Sequence, residues 1–278
     1  MTCSASSSDP PRPGPGPTLV LCAVEEALCV VLAEAGRVRQ ARSAHGQAGA
    51  MAFLAPAVAD MLAAAALSPG ELAEVACVRG PGSFTGIRVS LALAEGFRLG
   101  GGLPVRGLDA LPLVARRAFA ERPGAKRAVA VVHARRGLTY FQIFSRLAGH
   151  APVPGHPVRV LPAPLAARMA LERLFSPAGG ISPEEAAVAG SGLRNNREAF
   201  AAVLPGACLL SDEAAFPDAA VLAAAATGPG RDASQPPEPV YLRQSDAEEN
   251  LAAIARDRGM DPATATARLR SALSSPLP

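Results

Sequence analysis

No stretch of this 278-residue chain reaches the ~18 uninterrupted apolar residues that a membrane-spanning helix needs; the longest candidate, Met51 to Leu67, is broken by Pro56 and Asp60. A helical membrane protein is excluded on that ground. The first seventeen residues, MTCSASSSDPPRPGPGP, have neither a basic start nor an apolar run, and the hydrophobic segment behind them carries Glu25 and Glu26. No export signal is read there, and a cytoplasmic protein is expected. Cys3, Cys22, Cys29, Cys77 and Cys208 include no Cys-x-x-Cys pair, and four of the five sit in apolar runs, so neither disulfides nor zinc is expected. Lysine is nearly absent: Lys126 is the single one among 27 basic residues. That skew reflects coding bias before function, and the net charge of +3 does not by itself argue for nucleic acid. Charged residues are scarce at 18% against 49% hydrophobic, which excludes general disorder and leaves 26 glycines and 27 prolines to break the chain locally.

What is present reads as α/β. Residues 1–17 form a Ser/Pro/Gly tail with nothing to bury. TLVLCAV, ALCVVLAEAG and RVRQARSA then predict an antiparallel three-strand opening. Met51, Leu54, Val58, Met61, Leu62 and Ala65 recur at helical spacing, predicting a helix over about 47–66 that Pro56 bends. A strand at LAEVACVRG leads through a glycine turn into a second helix, about 86–98, and LPVRGLDA is a further strand. RAVAVVHAR, LTYFQIF and HPVRVLP repeat the three-strand opening. A helix from about Leu165 to Phe175 follows, and AAVAGSGL is a strand entering another glycine turn. The chain thus uses a similar unit twice, split near 115–125. FPDAAVLAAAAT is a helix with Asp218 at its start, GPGRDASQPPEP a linker, PVYLR the end of the compact part, and 247–278 a helical or disordered tail.

Chemistry is sparse. There is no Gly-Lys-Ser/Thr of a Walker loop, no GxGxxG and no GxSxG. The informative string is Gly80-Pro81-Gly82-Ser83-Phe84-Thr85-Gly86-Ile87-Arg88, placed where a strand ends and a helix starts. Its glycines permit close backbone approach, and Ser83 or Thr85 can cap the helix. It is either a tight structural turn or an anion or nucleotide site. His133 ends a strand and is read as a satisfied semi-buried histidine or, alternatively, a general base. Residues 105–146 hold nine basic side chains (Arg106, Arg116, Arg117, Arg122, Lys126, Arg127, Arg135, Arg136 and Arg146) against Asp109 and Glu121. That excess is either a solvated face or an attraction for RNA phosphates.

GPGSFTGIRVSLALAEG resembles the signature of the TsaB (YeaZ) family of the tRNA threonylcarbamoyladenosine machinery. His45, ADMLAAAALSPGELAEVACVRG, LPVRGLDAL, HARRGLTYFQIF and PVYLR follow in the family's order, so the resemblance spans roughly 18–246. It implies two related actin/sugar kinase/Hsp70-like (ASKHA) domains, the first about 18–115 plus 214–246 and the second 116–213. It also implies a noncatalytic subunit that supports a TsaD-type threonylcarbamoyltransferase, with a TsaE-type ATPase in the complex and tRNA reached through it. Where the family usually has Asp-Thr-Ser this chain has Cys22-Ala23-Val24, and where it usually has an Asp this chain has His133. The carboxylates that a nucleotide hydrolase of the fold needs are therefore missing. The TsaD-type histidine pair on the first helix is also missing, since His45 is followed by Gly49. No catalytic residue, cofactor or metal is expected; a self-standing ATP-dependent kinase or ATPase, or a peptidase-like enzyme, is the disfavoured alternative. The family pairs its first two helices with those of TsaD, and similar surfaces self-associate into a homodimer without it. The interface candidates are accordingly Met51, Leu54, Val58, Met61 and Leu62 with Ile87, Leu91, Leu93, Ala94 and Phe97.

Overall fold

The computed structural model describes residues 16–45, 49–176, 180–227, 237–242 and 251–267. The described residues up to Val240 form one compact unit and those from Tyr241 onward a second. The tail expected at 1–17 and the linker expected at 228–239 lie mostly outside them. In the second unit a helix runs over Leu251–Asp257, and Asp261 accepts the Thr264 N–H at 2.9 Å to open a further short helical turn.

The first sheet has the order β3-β2-β1-β4-β5. Its strands are β1 (Thr18–Cys22), β2 (Leu28–Glu34), β3 (Arg37–Ala44), β4 (Glu74–Val78) and β5 (Val105–Leu108). β1 pairs antiparallel with β2 and parallel with β4, so it is central. Its unbroken apolar run TLVLC follows from that position, because a strand covered on both faces has no polar side. Leu19 and Leu21 face one core with α1 (Ala50–Ala64) and α2 (Phe84–Gly101), while Val20 and Cys22 face another with α7 (Ala219–Ala226).

The second sheet repeats the connectivity. β6 (Arg127–Arg135) pairs antiparallel with β7 (Leu138–Ser145) and parallel with β10 (Ala186–Ala189), so it stands to its neighbours as β1 does. The two-residue β8 (Val153–Pro154) and β9 (Arg159–Pro162) both pair with β7. One face packs on α3 (Ala110–Glu121) through Val114, Ala118 and Phe119. The other packs on α4 (Ala163–Leu174) and on the short helices α5 (Ser191–Asn195) and α6 (Arg197–Ala201). The result is α/β with two mixed sheets flanked by helices, α3 and α7 lying between them. Neither α5 nor α6 was legible beforehand, since five residues are too few to show a period.

Helix ends follow their capping chemistry. α2 begins at Phe84, two residues before its expected start, because Ser83 accepts the Gly86 N–H at 3.3 Å. It ends at Gly102, whose φ of 67° needs no Cβ penalty. Asp218 caps α7 by accepting the Val221 N–H at 2.8 Å. No helix among the described residues is long and apolar enough to cross a membrane.

Candidate functional site

The signature turn joins β4 to α2, the place where an anion could sit on free N–H groups. Here the chain fills that place itself. The Val24 carbonyl accepts the Ser83 N–H, and a Cβ at Gly82 or at Gly86 would overlap the carbonyl oxygens of Val24 and Ala23 respectively. The two glycines are therefore required because the β1–β2 turn lies directly on the start of α2. Gly80 and Pro81 are buried beneath it, while Ser83, Phe84, Thr85 and Arg88 are exposed, with the Arg88 guanidinium 3.5 Å from the centre of the Phe84 ring. Of the two readings open at the sequence level, the geometry favours the structural turn. The second sheet also brings glycines against backbone: a Cβ at Gly190, where φ is 119°, or at Gly192 would run into Val131, in the middle of β6.

Cys22, Ala23 and Val24 are each about 2% exposed or less, and burial pushes the Cys22 thiol up to about 12, so it stays neutral. Four cysteines (Cys22, Cys29, Cys77 and Cys208) are buried and free, Cys3 lying outside the described residues. No group of three or more His, Cys, Asp or Glu side chains that could hold a metal occurs among the described residues.

The carboxylate nearest this turn was not anticipated as a functional group. Glu25 accepts a hydrogen bond from the Ser191 hydroxyl, whose oxygen in turn accepts the His133 N–H at 2.9 Å. Beside it the Arg194 guanidinium bonds Glu26 at 2.7 Å. Burial pushes the Glu25 carboxyl up to about 8, against the opposing pull of Ser191 and Arg194. These contacts tie the β1–β2 turn of the first sheet to α5 and β6 of the second. His133 thus contributes its backbone to a tie between sheets. The available sequence signal was two acids in an apolar turn, noted only as charges that break a hydrophobic segment.

The structure divides the ten interface candidates. Leu54, Val58, Met61, Leu62, Ile87 and Ala94 are buried in this chain's own core, as is Ala57. They cover the first sheet, because the side of each helix with the longest side chains fills the space above β1 and β4. Leu91, Leu93 and Phe97 are half-buried against the same core. Met51 alone among the ten is fully in solvent, at 75% exposure. The outer surface is instead made of small residues at helical spacing: Ala52, Ala55, Ala59 and Ala63 on α1, and Ala92, Gly96 and Gly100 on α2, with Leu99 beside them at 71% exposure.

Much of the 105–146 arginine excess is internal. Arg106 is buried on Glu74 and the Ala226 carbonyl, Arg117 pairs with Glu121 and Asp218 at 2.5 Å each, Arg122 reaches the Ala186 carbonyl at 2.7 Å, and Lys126 pairs with Glu185. Arg146 donates to the Phe119 carbonyl at 2.6 Å. Arg127, Arg135 and Arg136 remain on the surface.

Comparison with known proteins agrees with this architecture. Residues 50–152 match the family model "TsaD: tRNA N6-adenosine threonylcarbamoyltransferase". The chain is similar to the tRNA threonylcarbamoyladenosine biosynthesis protein TsaB of Escherichia coli K12, 37% identical over 91 residues, which is 33% of this chain and 39% of that protein. The protein of the same name from Haemophilus influenzae is 38% identical over 86 residues, 31% of this chain and 36% of its own length. The matched stretch therefore spans less than half of these relatives. In three dimensions YeaZ from Pseudomonas aeruginosa is similar with a TM-score of 0.63 and 27% identity, covering 82% of this chain and all of that one. The chain is thus similar to TsaB (YeaZ) proteins, by sequence over about a third of its length and by fold over most of it.

Proposed function

We propose that this chain is a noncatalytic subunit of the machinery that makes N6-threonylcarbamoyladenosine at position 37 of tRNA, and that it binds a TsaD-type threonylcarbamoyltransferase through the outer face of α1 and α2. The observation that carries the reading is that face: two adjacent helices expose alanines and glycines at helical spacing, with Met51 and Leu99 also exposed. Small side chains let helix backbones approach closely, and a surface helix face with little charge, here only Asp60 among the exposed residues from Ala52 to Ala63, marks association. The TsaD family model matches this same region, so partner and chain would present like helix pairs that meet about an approximate twofold axis. Without the partner the same face would pair two copies of this chain. A TsaE-type ATPase belongs to the complex in this reading, and tRNA is reached through it. The two sheets then represent two related ASKHA units, about 18–115 with 214–246 and 116–213, in a cytoplasmic protein. The β1–β2 turn packed onto α2 supports a role without nucleotide hydrolysis.

Titration calorimetry of the full chain with the TsaD-type subunit of the same organism tests the proposal. Ala55→Asp, Ala92→Asp and Leu99→Asp, made singly, should include at least one that weakens association by on the order of tenfold or more while melting stays cooperative and near wild type. Leu54→Asp and Val58→Asp should unfold the protein instead. Absence of a micromolar complex, or indifference to all three surface charges, would remove the proposed face.

Direct RNA contact is tested separately. Reversing Arg127, Arg135 and Arg136 to Glu should leave tRNA modification by the assembled complex within about twofold if these residues are only a solvated face. A large loss with intact assembly, greatest at low salt and shrinking as salt rises, would make them part of the RNA path.

A further inference from the structure

A cavity of about 460 Å³ lies between α3, α7 and the loop that follows β7. Its walls are mostly apolar, with Phe119 and Ala120 from α3, Leu147 from the loop, and Val221 and Ala224 from α7. That size and lining are those of small-molecule sites, in which a few polar groups set orientation.

Four polar side chains reach it, and three are accounted for by the fold or by exposure. Arg146 bonds the Phe119 and Ala125 carbonyls at 2.6 and 2.9 Å and lies 4.5 Å from the centre of the Phe119 ring. Asp218 is held by Arg117 at 2.5 Å and caps α7. His150 sits on the exposed loop. Arg116 is different: it is half-buried, makes no hydrogen bond or ion pair among the described residues, and burial alone lowers its pKa. A guanidinium stays charged regardless, so taking it partly out of water without an anion is unfavourable. An acid group placed on it recovers that loss. Charge in the neighbourhood agrees, because Asp218 and Glu121 are both paired with Arg117, and Arg146 bonds only carbonyl oxygens, which leaves Arg116 without a bonded carboxylate among the described residues.

We propose that this cavity binds a small organic acid, its carboxylate or phosphate on Arg116 and its apolar body against Phe119, Leu147 and Val221. The proposal does not rest on the assembly argued above, since the cavity is built from α3, α7 and the β7 loop and not from α1 and α2.

Calorimetry of the full chain with octanoate and octyl phosphate, both below their micelle concentrations, tests it, with octanol and inorganic phosphate as controls. At least one amphiphilic acid should bind once per chain about tenfold more tightly than either control, and the tighter of the two identifies the acid group. Arg116→Met should remove about that tenfold, and Ala224→Phe, on the solvent-exposed rim, should block binding, both with wild-type melting. The proposal is overturned if neither acid binds saturably, if octanol binds as well, or if inorganic phosphate matches octyl phosphate. It is also overturned if a folded Arg116→Met variant binds like the parent.

Discussion

Replacing Gly86 by alanine is expected to destabilise the protein by about 3 kcal/mol or more, enough to threaten folding in a domain whose whole stability is typically on the order of 5–15 kcal/mol. The helix itself would welcome alanine, since glycine costs roughly 0.5–1 kcal/mol in a helix interior. Packing decides the sign. The new methyl would occupy the space of the Ala23 carbonyl oxygen, and that oxygen is backbone, fixed by the pairing of Cys22 with Cys29 one residue earlier. Relief requires lifting the β1–β2 turn off α2, which also breaks the Ser83–Val24 hydrogen bond and pulls on the Glu25–Ser191 contact. Gly96→Ala is the matched control on the same helix, because nothing lies within 4 Å of its added carbon. It should gain the helix-propensity increment. Urea denaturation of both variants measures the contrast; a Gly86→Ala midpoint at or above wild type would show that the turn does not rest on the helix.

Glu25→Gln is expected to flatten the pH dependence of stability and to raise stability at pH 9 by roughly 2 kcal/mol or more. The folded carboxyl titrates at about 8 against an ordinary 4.5, chiefly because it is buried, so the fold prefers the protonated acid. Between those two values the unfolded chain has released the proton and the folded one still holds it. Stability therefore falls as pH rises from about 4.5 to about 8, with the full cost present above pH 8 and none of it below 4.5. The charged groups facing Glu25 are Arg194, which opposes the shift, and Glu26, which adds to it. Glutamine keeps the size and the polar contact with Ser191 but has no proton to lose. Melting temperatures of parent and variant at pH 5 and pH 9 should be close at the first and separated at the second. Parallel profiles would mean that the carboxylate is solvated and that the tie between the sheets is held by other groups.

The strands were legible because their information is local. TLVLC, LCVVLAE and EVACV are apolar except at a strand end (Thr18, Glu34 and Glu74), as strands inside a covered sheet must be, and the meander of β1, β2 and β3 follows from the short turns between them. Asp218 was legible as a helix start for the same reason, and Ser83 as one of two possible caps beside Thr85, a cap being a contact over three residues. The signature string was recognisable as resembling TsaB (YeaZ) proteins, and the comparisons found the same similarity. Its glycines could not be assigned to a turn or to an anion site from sequence, because what fills the space beside Gly82 and Gly86 comes from residues 23 and 24, far away along the chain. The same limit hid the second tie, since Glu25 and Ser191 are 166 residues apart. Helix facing was the other ambiguity. α1 and α2 are apolar on more than one side, so helical period alone names no inward stripe. Tertiary packing put Leu54, Val58, Met61, Leu62 and Ile87 on the sheet together with the small Ala57 and Ala94, and left Ala55, Ala59, Ala92 and Gly96 outside, because large side chains gain more by burial and small ones lose little by exposure.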